Sequence, residues 1–167
     1  MEKILTEKVI IMEPDNANLE VLRSTLANLG YAVAASADVA HGLKPFEPSW
    51  PSLFIIDSAL LDKGGLDFIS IVTKHYKHNV SFIILVGGHA QPALDKLAGF
   101  EIHSYLSRPV KQHELVGLVR LNFDLIRKNL HIEKLQSSLS SNAVSSAGDS
   151  HFFAQLSIFQ KAIDIIQ

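Results

Sequence analysis

Three short apolar runs dominate the hydrophobic pattern of the chain, at residues 9–12, 53–56 and 82–86. They are unbroken rather than alternating, and they are rich in β-branched residues. Runs of this kind are typical of strands that are buried on both faces of a parallel sheet. Two weaker runs, at residues 31–35 and 102–106, predict two further strands.

Amphipathic segments lie between these strands. Leucines spaced three and four residues apart predict a first helix, which we expect to end at Gly30. Further helices are predicted at residues 38–43, 66–76, 92–97 and 111–139. Strand and helix therefore alternate five times, a pattern that predicts a parallel α/β sheet with right-handed crossovers.

The last helix carries a second apolar stripe, with residues on alternating steps of three and four. This apolar seam consists of Leu118, Leu121, Leu125, Lys128, Ile132, Leu135 and Leu139. A helix of about 30 residues is about 45 Å long, whereas a domain of about 120 residues has a radius of gyration of only about 14 Å. We therefore expect the seam to extend beyond the domain and to form a dimeric coiled coil. The alternative is a C-terminal helix that packs its first half on the sheet and then frays.

The composition changes after the seam. Serine becomes frequent from Ser137 onwards, which predicts a flexible linker, and an apolar, helix-like stretch follows it. The predicted organisation is a domain at residues 7–127, a helix extension or coiled coil at 128–140, a serine-rich linker at 141–150 and the start of a following domain at 151–167.

Composition and charge narrow the class of protein. The chain has 167 residues, with 15 Lys and Arg against 17 Asp and Glu, so its formal net charge is −2. This balance argues against direct binding of nucleic acid by this chain. The absence of cysteine fits a reducing compartment. Without a signal-peptide pattern or an apolar run long enough to span a bilayer, we expect a cytoplasmic protein that is not held in a membrane.

Candidate chemistry lies where the predicted strands end, because ligands of open parallel sheets bind beyond the carboxyl ends of the strands. Glu13 and Asp15 follow the first strand, Asp57 the third, Gly87 the fourth and Arg108 the fifth. The carboxylates could hold a divalent cation, or one of them could act as a nucleophile. Each could equally be a helix cap.

The order and spacing of these residues resemble the receiver domain of two-component response regulators. The resemblance rests on residues 9–13, 53–57 and 105–109 and on Gly65, which stands eight residues after Asp57. It implies a flavodoxin-like (βα)5 fold with strand order 2-1-3-4-5. It also implies a non-enzymatic signalling role, with Asp57 at the phosphoacceptor position and Tyr105 at the position of the switch aromatic.

Three positions depart from the pattern of the family. The second acidic residue is replaced by Pro14, the Ser or Thr after the fourth strand by Gly87, and the Lys after the fifth by Arg108. We therefore predict a pseudo-receiver without a cofactor, in which Asp57 pairs with Arg108 and Mg²⁺ binds weakly, if at all, at Glu13 and Asp57. The alternative is a conventional phosphoacceptor in which Glu13 and Asp15 hold Mg²⁺.

Other hypotheses concern ligands and partners. The space that glycine leaves at position 87, beside Arg108, suggests an anionic small ligand such as a nucleotide. An enzyme that uses Asp57 as a nucleophile, like phosphatases of related topology, is a further alternative. Residues 153–162 resemble the opening of the AAA+ ATPase domain of enhancer-binding transcription activators. That resemblance implies that the chain is the N-terminal part of a longer activator, in which ATPase and DNA-binding domains follow.

Overall fold

The computed structural model describes residues 6–88, 91–102 and 104–145. Five strands form one parallel sheet in the order β2-β1-β3-β4-β5, which confirms the predicted topology. The strands are β1 (Lys8–Met12), β2 (Ala32–Ser36), β3 (Ser52–Asp57), β4 (Val80–Val86) and β5 (Ser104–Ser107).

Helical segments connect the strands. The α-helices are α1 (Asn16–Asn28), α2 (Val39–Gly42), α3 (Leu66–Tyr76), α4 (Gln91–Asp95) and α5 (Gln112–Ser145). A 3₁₀ turn (Ser58–Leu60) and a π-type segment (Leu61–Gly65) join β3 to α3, and a second 3₁₀ turn (Lys96–Gly99) follows α4. None of the helices in the described residues is long and apolar enough to cross a membrane.

The core lies around the central strands, as their unbroken apolar runs predict. Every residue of β3 is buried, and Phe54 on this strand stacks on Phe82 of β4 with 5.4 Å between ring centroids. Phe68 of α3 packs edge-on against Phe54, at 4.9 Å. This aromatic packing holds β3 in place beside β4, and so it helps to position Asp57, the last residue of β3.

The ends of α1 are set by local chemistry. Asp15 caps its N-terminus by accepting a hydrogen bond from the backbone N–H of Asn18, at 2.9 Å. Gly30 follows its C-terminus with φ of 92°, a backbone conformation that glycine adopts without steric cost. The predicted end of the first helix at Gly30 is therefore confirmed.

Helix α5 meets the sheet through Leu115, Val119, Phe123 and Ile126, all of which are buried. Among them lies a buried polar residue, Asn122. Its side-chain amide donates to the Ser104 hydroxyl on β5 at 2.9 Å and to the Leu118 carbonyl at 2.8 Å. The hydroxyl of Ser81 on β4 donates to its side-chain oxygen. Asn122 thus ties α5 to two neighbouring strands.

Replacing Asn122 with leucine is expected to lower the free energy of unfolding by about 1–3 kcal/mol, because the change leaves the hydroxyls of Ser81 and Ser104 without this partner. Urea unfolding followed by circular dichroism measures the change. Asn129 is the matched control, since it lies on the same helix but is only half-buried. A loss as large in Asn129→Leu would contradict the assigned role of Asn122.

The serine-rich stretch differs from its prediction. A linker was expected from residue 141, but α5 continues to Ser145. The hydroxyls of Ser137, Ser138 and Ser140 each donate to a backbone carbonyl four residues earlier, at 2.9–3.0 Å. These bonds satisfy the serine side chains within the helix and allow it to continue. The remainder of the predicted linker and the predicted domain start at 151–167 lie outside the described residues.

Candidate functional site

Three charged side chains meet at the carboxyl ends of the strands. Glu13 follows β1 and Asp57 ends β3, and these two strands are neighbours in the sheet. Arg108 follows β5, which is separated from β3 by β4, so only a long side chain can reach the two carboxylates. Its Nη2 donates to Asp57 Oδ2 at 2.5 Å and also to Glu13 Oε2. Its Nε donates to Asp57 Oδ2 at 3.1 Å.

We call this arrangement of Glu13, Asp57 and Arg108 the charge bridge. Both carboxylates are buried, with only 1% of Glu13 and 6% of Asp57 exposed. Their remaining oxygens are also paired. Glu13 Oε1 accepts the backbone N–H of Asp15 at 2.9 Å, and Asp57 Oδ1 accepts that of Ala59 at 2.8 Å. Every oxygen of the two carboxylates therefore has a hydrogen-bond donor from the protein itself.

The electrostatics of Arg108 follow from its two partners. Burial opposes the charge of the guanidinium, but the hydrogen bonds that it donates to Asp57 and Glu13, together with their negative charges, outweigh burial and raise the pKa of Arg108. The guanidinium is therefore a permanent cation between two carboxylates. The predicted pairing of Asp57 with Arg108 is confirmed.

Asp15 does not join the charge bridge. Its side chain is used to cap α1, as described above, while its backbone N–H supports Glu13. Pro14 lies between the two residues, at the position where the family has its second acid. The pair that the alternative hypothesis assigned to Mg²⁺ is thus divided between a buried carboxylate and an exposed helix cap.

Gly87 lies just beyond β4, and a Cβ atom added to it would meet nothing within 4 Å. Its backbone N–H donates to the hydroxyl of Ser58 at 3.3 Å. Ser58 was not among the predicted site residues, although its position directly after Asp57 was a signal that a hydroxyl would lie close to this carboxylate. Tyr105 lies on the edge strand β5 and is 42% exposed.

The fold and these strand ends agree with comparisons to known proteins. The family model for the response regulator receiver domain matches residues 9–120. The chain belongs to the response regulator receiver family. This receiver is therefore a module of two-component signalling.

Two curated relatives are transcriptional regulatory proteins. The receiver is 27% identical over 115 residues to BasR of Escherichia coli (strain K12), covering 68% of this chain and 50% of BasR. It is 24% identical over 111 residues to the uncharacterized transcriptional regulatory protein YcbL of Bacillus subtilis (strain 168), covering 66% of this chain and 48% of that protein. The chain thus spans about half the length of these relatives.

A solved structure supports the fold. The signal receiver domain of an HD domain-containing protein from Pseudomonas fluorescens Pf-5 superposes with a TM-score of 0.67 at 20% identity. The superposition covers 78% of this chain and 96% of that one.

The residues of this receiver do not fit the Mg²⁺ site that the family implies. Mg²⁺ requires a near-octahedral arrangement of oxygen ligands, in which one or two carboxylates and several waters take part. Here the guanidinium of Arg108 lies between the carboxylates of Glu13 and Asp57, where a cation and its waters would have to lie. Among the residues the structure describes, no group of three or more His, Cys, Asp or Glu side chains is placed to hold a metal ion.

Proposed function

We propose that this chain is an atypical receiver that signals without Mg²⁺-dependent phosphorylation of Asp57. In this proposal it acts in the cytoplasm as a homodimer and regulates an attached effector that activates transcription. The charge bridge is the observation that carries the proposal. Arg108 provides from within the chain the positive charge that a divalent cation would provide, so the two carboxylates are neutralised in part without a ligand.

The absence of a side-chain hydroxyl at position 87 supports the same proposal. Gly87 has no hydroxyl that could hold a phosphoryl group and link it to Tyr105. The nearest replacement is the hydroxyl of Ser58, which is bonded to the backbone of Gly87. Phosphorylation of Asp57 at Oδ2 would also require Arg108 to give up its two bonds to this oxygen.

The test is an NMR titration of the wild-type chain with Mg²⁺ and beryllofluoride, which mimics a phosphoryl group on Asp. We expect no shift of the amide signals of Asp57, Gly87 and Tyr105. The conventional alternative predicts saturable shifts of these signals. Such shifts, lost in Asp57→Asn, would overturn the proposal.

The attached effector is proposed from the relatives. Both are transcriptional regulatory proteins about twice as long as the matched segment. The resemblance of residues 153–162 to an AAA+ opening favours an enhancer-binding activator, whose downstream domains would bind DNA. Reading the coding sequence beyond Gln167 tests this. We expect an ATPase domain followed by a DNA-binding domain, and a stop codon directly after Gln167 would contradict it.

An anionic small ligand remains a further hypothesis for the open space at Gly87. Arg108 would have to donate to such a ligand through Nη1, because its Nε and Nη2 already donate to carboxylates. Calorimetry with a panel of nucleotides, including cyclic dinucleotides, tests the hypothesis. No heat of binding across the panel would exclude ligands of this class.

A further inference from the structure

Helix α5 has a second apolar face in addition to the one on the sheet. The apolar seam faces solvent, with Leu121 61%, Leu125 48%, Ile132 42% and Leu135 52% exposed. Large apolar side chains that repeat along one helix stripe mark an interaction surface when nothing in the fold covers them.

Packing against the sheet does not account for the seam. The buried stripe of α5 runs through Val119, Phe123 and Ile126. Continued at helical spacing, this stripe passes the half-buried Asn129 and Leu130 and becomes polar and exposed at Glu133 and Ser137. The seam stays apolar along the same length of helix, through Ile132, Leu135 and Leu139. Packing in the core therefore does not explain why the seam is apolar.

We propose that the apolar seam pairs with the same seam of a second copy of this chain, as a parallel, in-register coiled coil that Lys128 keeps weak and reversible. The inference rests on the proposed function in one respect, namely that the module acts as a homodimer.

The spacing of the seam identifies its partner as another helix with the same repeat. Steps of three and four residues average 3.5, and this period keeps a stripe facing a second helix along a supercoil. A second copy carries that stripe by definition. The flanking positions Asp124, Asn129 and His131 carry little like charge. Asp124 is in addition paired with Arg127 of its own helix. Charge repulsion along the flanks therefore does not prevent identical helices from pairing.

The sequence of the seam favours the parallel orientation. In a parallel, in-register pair every leucine or isoleucine of the seam meets its own copy, and only the Lys128 layer is polar. An antiparallel pair that aligns Leu125 with Leu135 of the second copy places Lys128 against Ile132 twice. It also moves Leu118 opposite a polar position. The parallel arrangement keeps more apolar layers.

Lys128 lies in the middle of the seam and sets the strength of the pairing. Two ammonium groups in one core layer repel, and a single polar core residue fixes register at a cost in stability. The exposed apolar area is also modest, since the four exposed apolar residues of the seam together expose about the area of two whole residues per copy. Stable dimers bury about 1,200 Å² or more. We therefore expect a dimer that forms and separates readily with concentration.

Cysteine cross-linking tests the orientation, because the chain contains no cysteine of its own. Under mild oxidation we expect Leu125→Cys to form a covalent dimer. The matched control Arg120→Cys, on an exposed position outside the seam, should remain monomeric. An antiparallel pair would instead give the covalent product only when Leu125→Cys is mixed with Leu135→Cys, and that result would overturn the proposed orientation.

Analytical ultracentrifugation tests the surface and the role of Lys128. We expect Leu125→Asp to weaken dimerisation at least about tenfold, whereas Ile71→Asp, a change at an exposed residue of α3, leaves it unchanged. Lys128→Leu should tighten it at least about tenfold, and the control Lys134→Leu should not. Circular dichroism checks that each variant is folded.

Two results would overturn the inference in distinguishable ways. If the wild type dimerises and Leu125→Asp dimerises equally well, another face is used and the proposed homodimer stands without the seam. If the wild type and Lys128→Leu are both monomeric at all concentrations, the seam does not pair, and the proposed homodimer is contradicted as well. Neither result bears on the response of Asp57 to Mg²⁺ and beryllofluoride.

Discussion

Replacing Arg108 with alanine is expected to lower the free energy of unfolding by about 3 kcal/mol, because it leaves two buried carboxylates without their counter-ion. Urea unfolding at neutral pH, followed through the single tryptophan Trp50, measures the change. We also expect millimolar Mg²⁺ to stabilise Arg108→Ala and to leave the wild type unaffected, since only the variant offers unpaired carboxylates.

The control removes all three charges at once. In the triple variant Glu13→Gln, Asp57→Asn and Arg108→Met, the amide oxygens can still accept the backbone N–H bonds of Asp15 and Ala59. A buried ion pair replaced as a whole is often close to neutral for stability, so we expect the triple variant to recover most of the loss. If Arg108→Ala is as stable as the wild type, the charge bridge does not hold the site together.

Restoring the three family residues, with Pro14→Asp, Gly87→Thr and Arg108→Lys in one chain, is expected to create a receiver that responds to beryllofluoride and Mg²⁺. Asp at position 14 supplies the missing second carboxylate. Lys at position 108 removes the guanidinium fork that joins Glu13 and Asp57. The threonine fits, because a Cβ atom at position 87 meets nothing within 4 Å. Loss of outer-shell groups alone costs about 10–100-fold in metal affinity, so we expect Mg²⁺ to bind at least about tenfold more tightly than in the wild type.

The matched control moves only the introduced threonine, from position 87 to position 88. Gly88 also has open space around an added Cβ, so a variant with Pro14→Asp, Gly88→Thr and Arg108→Lys keeps the restored charges but misplaces the threonine. We expect this control to bind Mg²⁺ without the beryllofluoride-dependent shift of the Tyr105 signal. If the restored chain shows neither Mg²⁺ binding nor a shift, the three departures are not what separates this receiver from a conventional one.

Much of the fold can be predicted from the sequence, because the strands and helices depend on patterns of residues that are close together along the chain. The unbroken runs at residues 53–56 and 82–86 identify β3 and β4, since short runs rich in β-branched and aromatic residues are typical of strands buried on both faces. Gly30 marks the end of α1 through its backbone freedom. The start of β5 was placed two residues too early, because residues 102–106 lack a strong apolar pattern. The helical state of residues 141–145 was missed, since serine favours loops unless its hydroxyl bonds back to the helix, as that of Ser141 does.

The sequence by itself determined the topology, the strand ends that carry chemistry and the three departures from the family pattern, because motif spacing encodes all of these. The sequence also predicted that Asp57 pairs with Arg108, but only the tertiary structure showed that Glu13 shares this guanidinium and that Asp15 does not. The tertiary structure turned Asp15 into a helix cap and brought the guanidinium of Arg108 across β4 to both carboxylates. It also placed the hydroxyl of Ser58 at the backbone of Gly87. The physical reason is that hydrogen bonds between side chains from distant strands depend on direction and distance in space, which spacing along the chain does not specify.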